Sequence, residues 1–233
     1  MNPLILALDT NEISIAEKWI EATHSVIPTF KVGLEFYLAF GSAGLDRLRK
    51  IADFDLFLDL KLHDIPNTVE AAVRAVAHHE PRFLTVHAAG GAEMIERAAK
   101  VNSKIGITAV TVLTSLSAEE LPHLGFAGSP TEIAQKMATN AVNSGAAAIV
   151  SSPLEVAAIR SVAPSTSIIT PGVRPIGSEA GDQKRVMTPA DAIAAGSTHL
   201  VIGRPITSLY RPASDDSLTA MRERAQEIVD SLR

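Results

Sequence analysis

The chain has 233 residues, 46% of them hydrophobic and 20% charged, with a formal net charge of −5 and no cysteine. This excludes disulfides and thiolate chemistry, and it offers no basic face of the kind a nucleic-acid partner needs. No apolar run approaches the roughly 18 residues of a membrane span, and Met1-Asn2-Pro3-Leu4-Ile5 lacks the basic start of a signal peptide, so a soluble cytoplasmic protein away from membranes is expected.

Short apolar strands are predicted at residues 4–9, 29–35, 55–62, 83–89, 104–113, 147–153, 167–173 and 198–205, with helical patterns between them. Near-continuous apolar strands alternating with helices imply a parallel sheet that is covered on both faces or closed on itself. Eight such units in this length predict an α/β fold, a (β/α)8 or TIM barrel, as a single domain over residues 1–233. An open doubly wound sheet is the alternative, but no G-x-G-x-x-G follows the first strand.

The first helix is placed within residues 12–24 and the third within 66–79. Ser129-Pro130-Thr131-Glu132 reads as a capping box with proline at the first helical position, opening a helix that runs to Asn143 and stops at Gly145. Leu218, Met221, Ala225, Ile228 and Leu232 form the apolar stripe of a last helix lying on the barrel. Two connections, 114–128 and 174–188, exceed what a barrel needs and follow strand ends, where barrel active sites lie. They are candidate lids, with an ordinary surface insertion the equal reading for the first.

The most informative stretch is Asp59-Leu60-Lys61-Leu62-His63-Asp64, at the end of strand three. Side chains alternate along a strand, so Asp59, Lys61 and His63 should share one face, with Leu58, Leu60 and Leu62 on the other. If the leucines meet the helices, the charges point into the barrel. Asp64 falls out of phase and should point elsewhere, across a subunit boundary. An isolated Asp–Lys pair could be purely structural. Other strand ends supply more: Asp9, Lys31, His87, Thr114, Arg174 and Gly203-Arg204. Arginines and a glycine after strands seven and eight suit a phosphate, since glycine admits close approach of the backbone and arginine offers a planar charged fork.

Asp59 and Asp64 could in principle hold Mg²⁺, but Lys31 and Lys61 already neutralise carboxylates there, and His63 and His87 lack tight zinc spacing; no metal is expected. The histidines read as hydrogen-bonded supports. An alternating Lys–Asp array beside a phosphate anchor can hold an anionic substrate and stabilise negative charge developing on carbon, with an ammonium as proton donor.

Asp59-Leu60-Lys61-Leu62-His63-Asp64-Ile65-Pro66-Asn67-Thr68 matches the D-x-K-x-x-D-I-P-N-T signature of the orotidine 5′-phosphate decarboxylase family. Val86-His87-Ala88, Pro171-Gly172-Val173-Arg174-Pro175, Asp182-Gln183-Lys184-Arg185 and Val201-Ile202-Gly203-Arg204-Pro205-Ile206 follow in the same order, so the chain resembles that family nearly end to end. The resemblance implies a cofactor-free homodimeric barrel that converts orotidine 5′-phosphate (OMP) to UMP and CO2 in de novo pyrimidine biosynthesis. It implies Lys61 as the acid that protonates C6, with Asp59 against the departing carboxylate and Lys31 and Asp64 completing the array. Asp64, Ile65 and Thr68 would serve the neighbouring subunit's site. Asp9 and Lys31 would bind ribose hydroxyls, and Thr114 would approach the pyrimidine. Arg174, Gln183, Gly203 and Arg204 would hold the phosphate, with Gln183 on a closing lid. Two rivals stay open: a Mg²⁺-dependent 3-keto-L-gulonate 6-phosphate decarboxylase, and a non-catalytic phospholigand-binding barrel.

Overall fold

A computed structural model describes residues 2–175 and 187–232. Eight parallel strands close into a barrel in sequence order, with the first paired to the last. They are β1 (Leu4–Ala7), β2 (Thr29–Gly33), β3 (Asp55–Leu62), β4 (Phe83–His87), β5 (Gly106–Val110), β6 (Ala148–Val150), β7 (Ser167–Pro171) and β8 (His199–Ile202). The expected (β/α)8 architecture is therefore the observed one. Most strands are shorter than predicted because the chain leaves the ladder at the upper rim, where polar residues turn inward or into loops; β3 alone has the predicted bounds.

The strands alternate with α1 (Ile13–Thr23), α2 (Leu34–Arg49), α3 (Pro66–Val76), α4 (Ala92–Val101), α5 (Glu120–His123), α6 (Pro130–Asn143), α7 (Val156–Val162), α8 (Pro189–Ala194), α9 (Arg204–Thr207) and α10 (Asp215–Asp230). The capping box at α6 forms as expected: Ser129 Oγ accepts from the Glu132 N–H at 3.2 Å, and Glu132 Oε2 accepts from the Ser129 N–H at 2.8 Å. Gly145, at φ 92°, follows the end of that helix. On α10, Met221, Ala225 and Ile228 are buried, as the stripe predicts. The 114–128 connection is not a simple loop; it carries α5, whose Leu121 is buried in the core.

Two apolar layers hold the barrel. The larger lies between strands and helices and includes Leu4, Leu6, Phe30, Val32, Leu56 and Leu58 from the strands, packed against Ile20, Leu48, Val73 and Ile228. The smaller fills the inside: Ile5, Ala7, Phe57, Phe83, Ala148, Ile169 and Val201. Neighbours such as Leu4 and Ile5, or Leu56 and Phe57, thus face opposite layers, as strand alternation requires. Burying each large side chain contributes about 1.5–3 kcal/mol. The inner layer plugs the lower barrel and leaves the upper end open to polar groups. Among the described residues no helix is long and apolar enough to cross a membrane.

Candidate active site

The upper mouth of the barrel holds a cavity of about 490 Å³. Asp9, Lys31, Asp59, Lys61, Thr114, Arg174, Gly203 and Arg204 all line it, so residues from six strands or strand ends meet in one place. Phe57 and Val201 form its floor on the inner apolar layer.

Charge is concentrated on one side. Lys61 Nζ lies 2.8 Å from both oxygens of Asp59, while Lys31 Nζ is 2.9 Å from Asp9 Oδ1 and 3.6 Å from Asp59 Oδ2. The result is a continuous chain, Asp9–Lys31–Asp59–Lys61. Lys31 and Asp59 are each only 8% exposed. Burial of this degree disfavours charge, and carboxylates and ammoniums persist there only when paired and hydrogen-bonded. Burial pushes Asp59 up, but the Lys31 and Lys61 ammoniums, with hydrogen bonds from Lys61 and Thr85, outweigh it and hold the carboxyl below its ordinary range. Burial likewise pushes Lys31 down, and the Asp59 and Asp9 carboxylates reverse that, leaving it raised. Gly33, next along β2 but one, is where a side chain would intrude: a Cβ there would sit 3.1 Å from Lys31 Nζ and 3.3 Å from Asp9 Oδ1.

Local backbone geometry sets Lys61 in position. Leu58 pairs with Leu84 and Leu62 with Val86, so three residues of β3 (Asp59, Leu60 and Lys61) stand against Thr85 alone. The slack is taken up at Lys61, which adopts φ 47°. That left-handed conformation costs a non-glycine residue about 1–2 kcal/mol, and such strain collects at functional sites. It turns the lysine back over the carboxylate two residues earlier.

One expectation is corrected. Regular alternation would put His63 on the face of Asp59 and Lys61, but β3 ends at Leu62, and His63, one residue beyond it, is exposed outside the cavity lining. Its ring stacks on His87 with centroids 5.2 Å apart. Burial, together with His63 and Lys61, holds His87 below the ordinary imidazole value. Asp64, as expected, departs from the cavity: it is exposed, and its Oδ1 accepts from the Ile65 N–H at 2.6 Å. Ile65 and Thr68 are exposed beside it, and none of the three lines the cavity of its own chain. Gln183 lies outside the described residues.

On the opposite side Arg174 and Arg204 bracket the ends of β7 and β8. The cavity is thus bipolar, with a tight Lys–Asp array on one wall and two guanidinium side chains on another. Such a site can grip a phosphate at one end and act on charge at the other. Among the described residues no group of three or more His, Cys, Asp or Glu side chains is placed to hold a metal ion.

Sequence reading missed some lining residues. Ser151 and Ser152, each 1% exposed, line the cavity after β6, and Thr207 lines it from α9. The serines were findable, since they are the polar residues that close the predicted strand at 147–153. Thr85 carried no such signal: in an apolar strand a threonine reads as an ordinary strand former.

Comparison with known proteins agrees with this geometry. The family model described as Orotidine 5′-phosphate decarboxylase / HUMPS family matches residues 2–215. A relative from Thermobifida fusca named orotidine 5′-phosphate decarboxylase is 48% identical over 91% of each chain. One of the same name from Paramagnetospirillum magneticum is 45% identical over 91% of this chain and 94% of its own. The crystal structure of orotidine 5′-phosphate decarboxylase from Lactobacillus acidophilus superposes with a TM-score of 0.80 at 31% identity, covering 99% of this chain and 100% of that one. With the model spanning nearly the whole chain and these relatives covered almost end to end, the chain belongs to the orotidine 5′-phosphate decarboxylase / HUMPS family.

Proposed function

We propose that this protein decarboxylates orotidine 5′-phosphate to UMP and CO2, as a cytoplasmic homodimer in de novo pyrimidine synthesis, without a metal or organic cofactor. The observation that carries the reading is the Asp9–Lys31–Asp59–Lys61 chain in one cavity with Arg174 and Arg204. A phosphate held by Arg174, Arg204 and the Gly203 backbone, with Gln183 closing over it, sets the pyrimidine over the array. Asp9 and Lys31 take the ribose hydroxyls, and Thr114 approaches the base.

The substrate carboxylate then lies against Asp59, with the Lys61 ammonium beside C6. The C6–carboxyl bond breaks, its electron pair stays on C6, and CO2 leaves. Lys61 Nζ delivers a proton to that carbon and recovers one from solvent. The carbanion has nothing in the ring to delocalise it, so the stabilisation must be electrostatic and set up in advance. Distant phosphate binding can hold the closed form in which that stabilisation is strongest. Asp64, Ile65 and Thr68, exposed and turned away from their own cavity, complete the site of a second subunit.

The test is loss of OMP absorbance with chelator present, for the wild type and Lys61→Ala. Metal-independent turnover in the wild type and its near-complete loss in the variant are expected. No turnover in folded wild type overturns the assignment and favours a Mg²⁺-dependent sugar-phosphate reaction. Turnover surviving Lys61→Ala keeps the reaction and removes Lys61 as its acid.

A further inference from the structure

Thr85 is fully buried in the middle of β4 and does not itself line the cavity, yet its hydroxyl joins both members of the Asp59–Lys61 pair. Its Oγ1 accepts from the Lys61 backbone N–H at 2.7 Å and donates to Asp59 Oδ1 at 2.9 Å. A hydroxyl has one proton, so with a lone pair committed to the amide its proton is directed to the carboxylate. Thr85 is also the single β4 residue facing the three-residue bulge Asp59-Leu60-Lys61. The bulge takes the Lys61 N–H out of the regular ladder, and a buried N–H needs an acceptor. The threonine hydroxyl supplies it, and the turn that aims the Lys61 side chain is thereby fixed.

We infer that Thr85 is a positioning residue for the reaction, its hydroxyl locking the Lys61 backbone turn and the Asp59 carboxylate into one rigid unit. This rests on the decarboxylase reading above. Thr85 touches no substrate atom; it acts through Asp59 and Lys61. Its loss should therefore reduce the chemical step and spare binding, because the phosphate and ribose contacts lie on other strands.

The experiment compares OMP turnover by the wild type, Thr85→Ser and Thr85→Val, with pH profiles of kcat. Thr85→Val keeps the shape and removes the hydroxyl; kcat should fall about a hundredfold with KM within about threefold. Thr85→Ser restores donor and acceptor and should stay within about threefold of wild type. Asp59 is faced by Lys31 from β2, Lys61 from β3, and Thr85 and His87 from β4, with Asp9 reaching it through Lys31. Removing the Thr85 hydrogen bond takes away one influence favouring the carboxylate, so the acid limb of the Thr85→Val profile should move to higher pH. Undiminished kcat in folded Thr85→Val overturns the inference, as does Thr85→Ser impaired as badly as Thr85→Val. Should Thr85→Val not fold, Thr85→Cys keeps the volume with a poor donor and acceptor, and undiminished kcat there overturns it equally. A wild type without turnover instead overturns the parent reading and this inference with it.

Discussion

The two ends of this barrel bury ionisable groups to a similar degree and treat them in opposite ways. At the upper mouth Asp59, 8% exposed, lies between two ammonium groups and is held in its charged form. At the lower end His199, 6% exposed, sits against the edge of Phe83 with ring centroids 5.3 Å apart. Burial first, then the nearby Arg82 guanidinium, pushes His199 down to about 4, with Asp55 opposing weakly. The difference is not depth but company. Asp59 meets opposite charges at hydrogen-bond distance, whereas His199 meets an aromatic ring and a cation that is itself paired to Asp55 at 2.5 Å. The lower end keeps its buried histidine neutral and packed; the upper end stores buried charge.

Breaking the upper end should have the largest consequence. Asp59→Asn preserves shape but removes the charge that Lys31 and Lys61 share, leaving two ammoniums facing a neutral amide. Loss of one preorganised electrostatic element typically costs about 10²–10³-fold in kcat. Because Asp59 also orients Lys61, a fall of at least about a thousandfold is expected in steady-state OMP turnover. A loss below about tenfold would mean the array is structural, like the lower end.

The two ends should also separate along the pH axis. An unfolded histidine titrates near 6.5, and folded His199 near 4. Above pH 6.5 both states are neutral there and no stability depends on pH. Between 6.5 and 4 the unfolded chain takes up a proton that the fold refuses, so stability falls as pH falls. His199 should account for a loss on the order of 2–3 kcal/mol over that window. Asp59, with its folded value lowered, loses its contribution only below the ordinary carboxylate range, near pH 4 and down. Lys31, raised, does so only on the alkaline side, above about 10.5. Urea unfolding of wild type and His199→Leu at pH 7 and pH 4.5 tests this. The variant should lose less stability on acidification and keep wild-type kcat at pH 7. Equal acid loss in both would place the weak point elsewhere.

The contrast also explains what was legible in the sequence. Strand order, barrel closure and the gathering of Asp9, Lys31, Asp59 and Lys61 followed from apolar runs and from which residues end them, because a barrel sends strand ends to one rim. The place of His63 and the bulge at Lys61 did not follow. Alternation says nothing of a residue past the strand's end, and the bulge opposite Thr85 depends on pairing between β3 and β4 that no local pattern encodes. Thr85 was invisible for the same reason: its role is an acceptor for an N–H displaced by another strand. His199 was equally hidden, since the strand reading gave its position but not the aromatic partner Phe83 arriving from the opposite side of the barrel. Long-range register, rather than composition, separates what could be read from what could not.

The smallest expected effect sharpens the comparison by serving as its control. Ser129 caps α6 on the upper side of the barrel, at the end of the connection from β5, but makes no contact with the charged array. Ser129→Ala removes the acceptor for the Glu132 N–H and weakens the reciprocal bond, at a cost of about 1 kcal/mol. Chemical unfolding should report that loss at every pH between 4.5 and 7, since the serine does not titrate in that range. OMP turnover per folded molecule should stay at the wild-type value. If kcat fell with this cap, the upper end would be coupled to its helices as a whole, and the loss in Asp59→Asn could no longer be ascribed to charge. An unchanged kcat with reduced stability isolates the array as an electrostatic device set on a scaffold that tolerates loosening elsewhere.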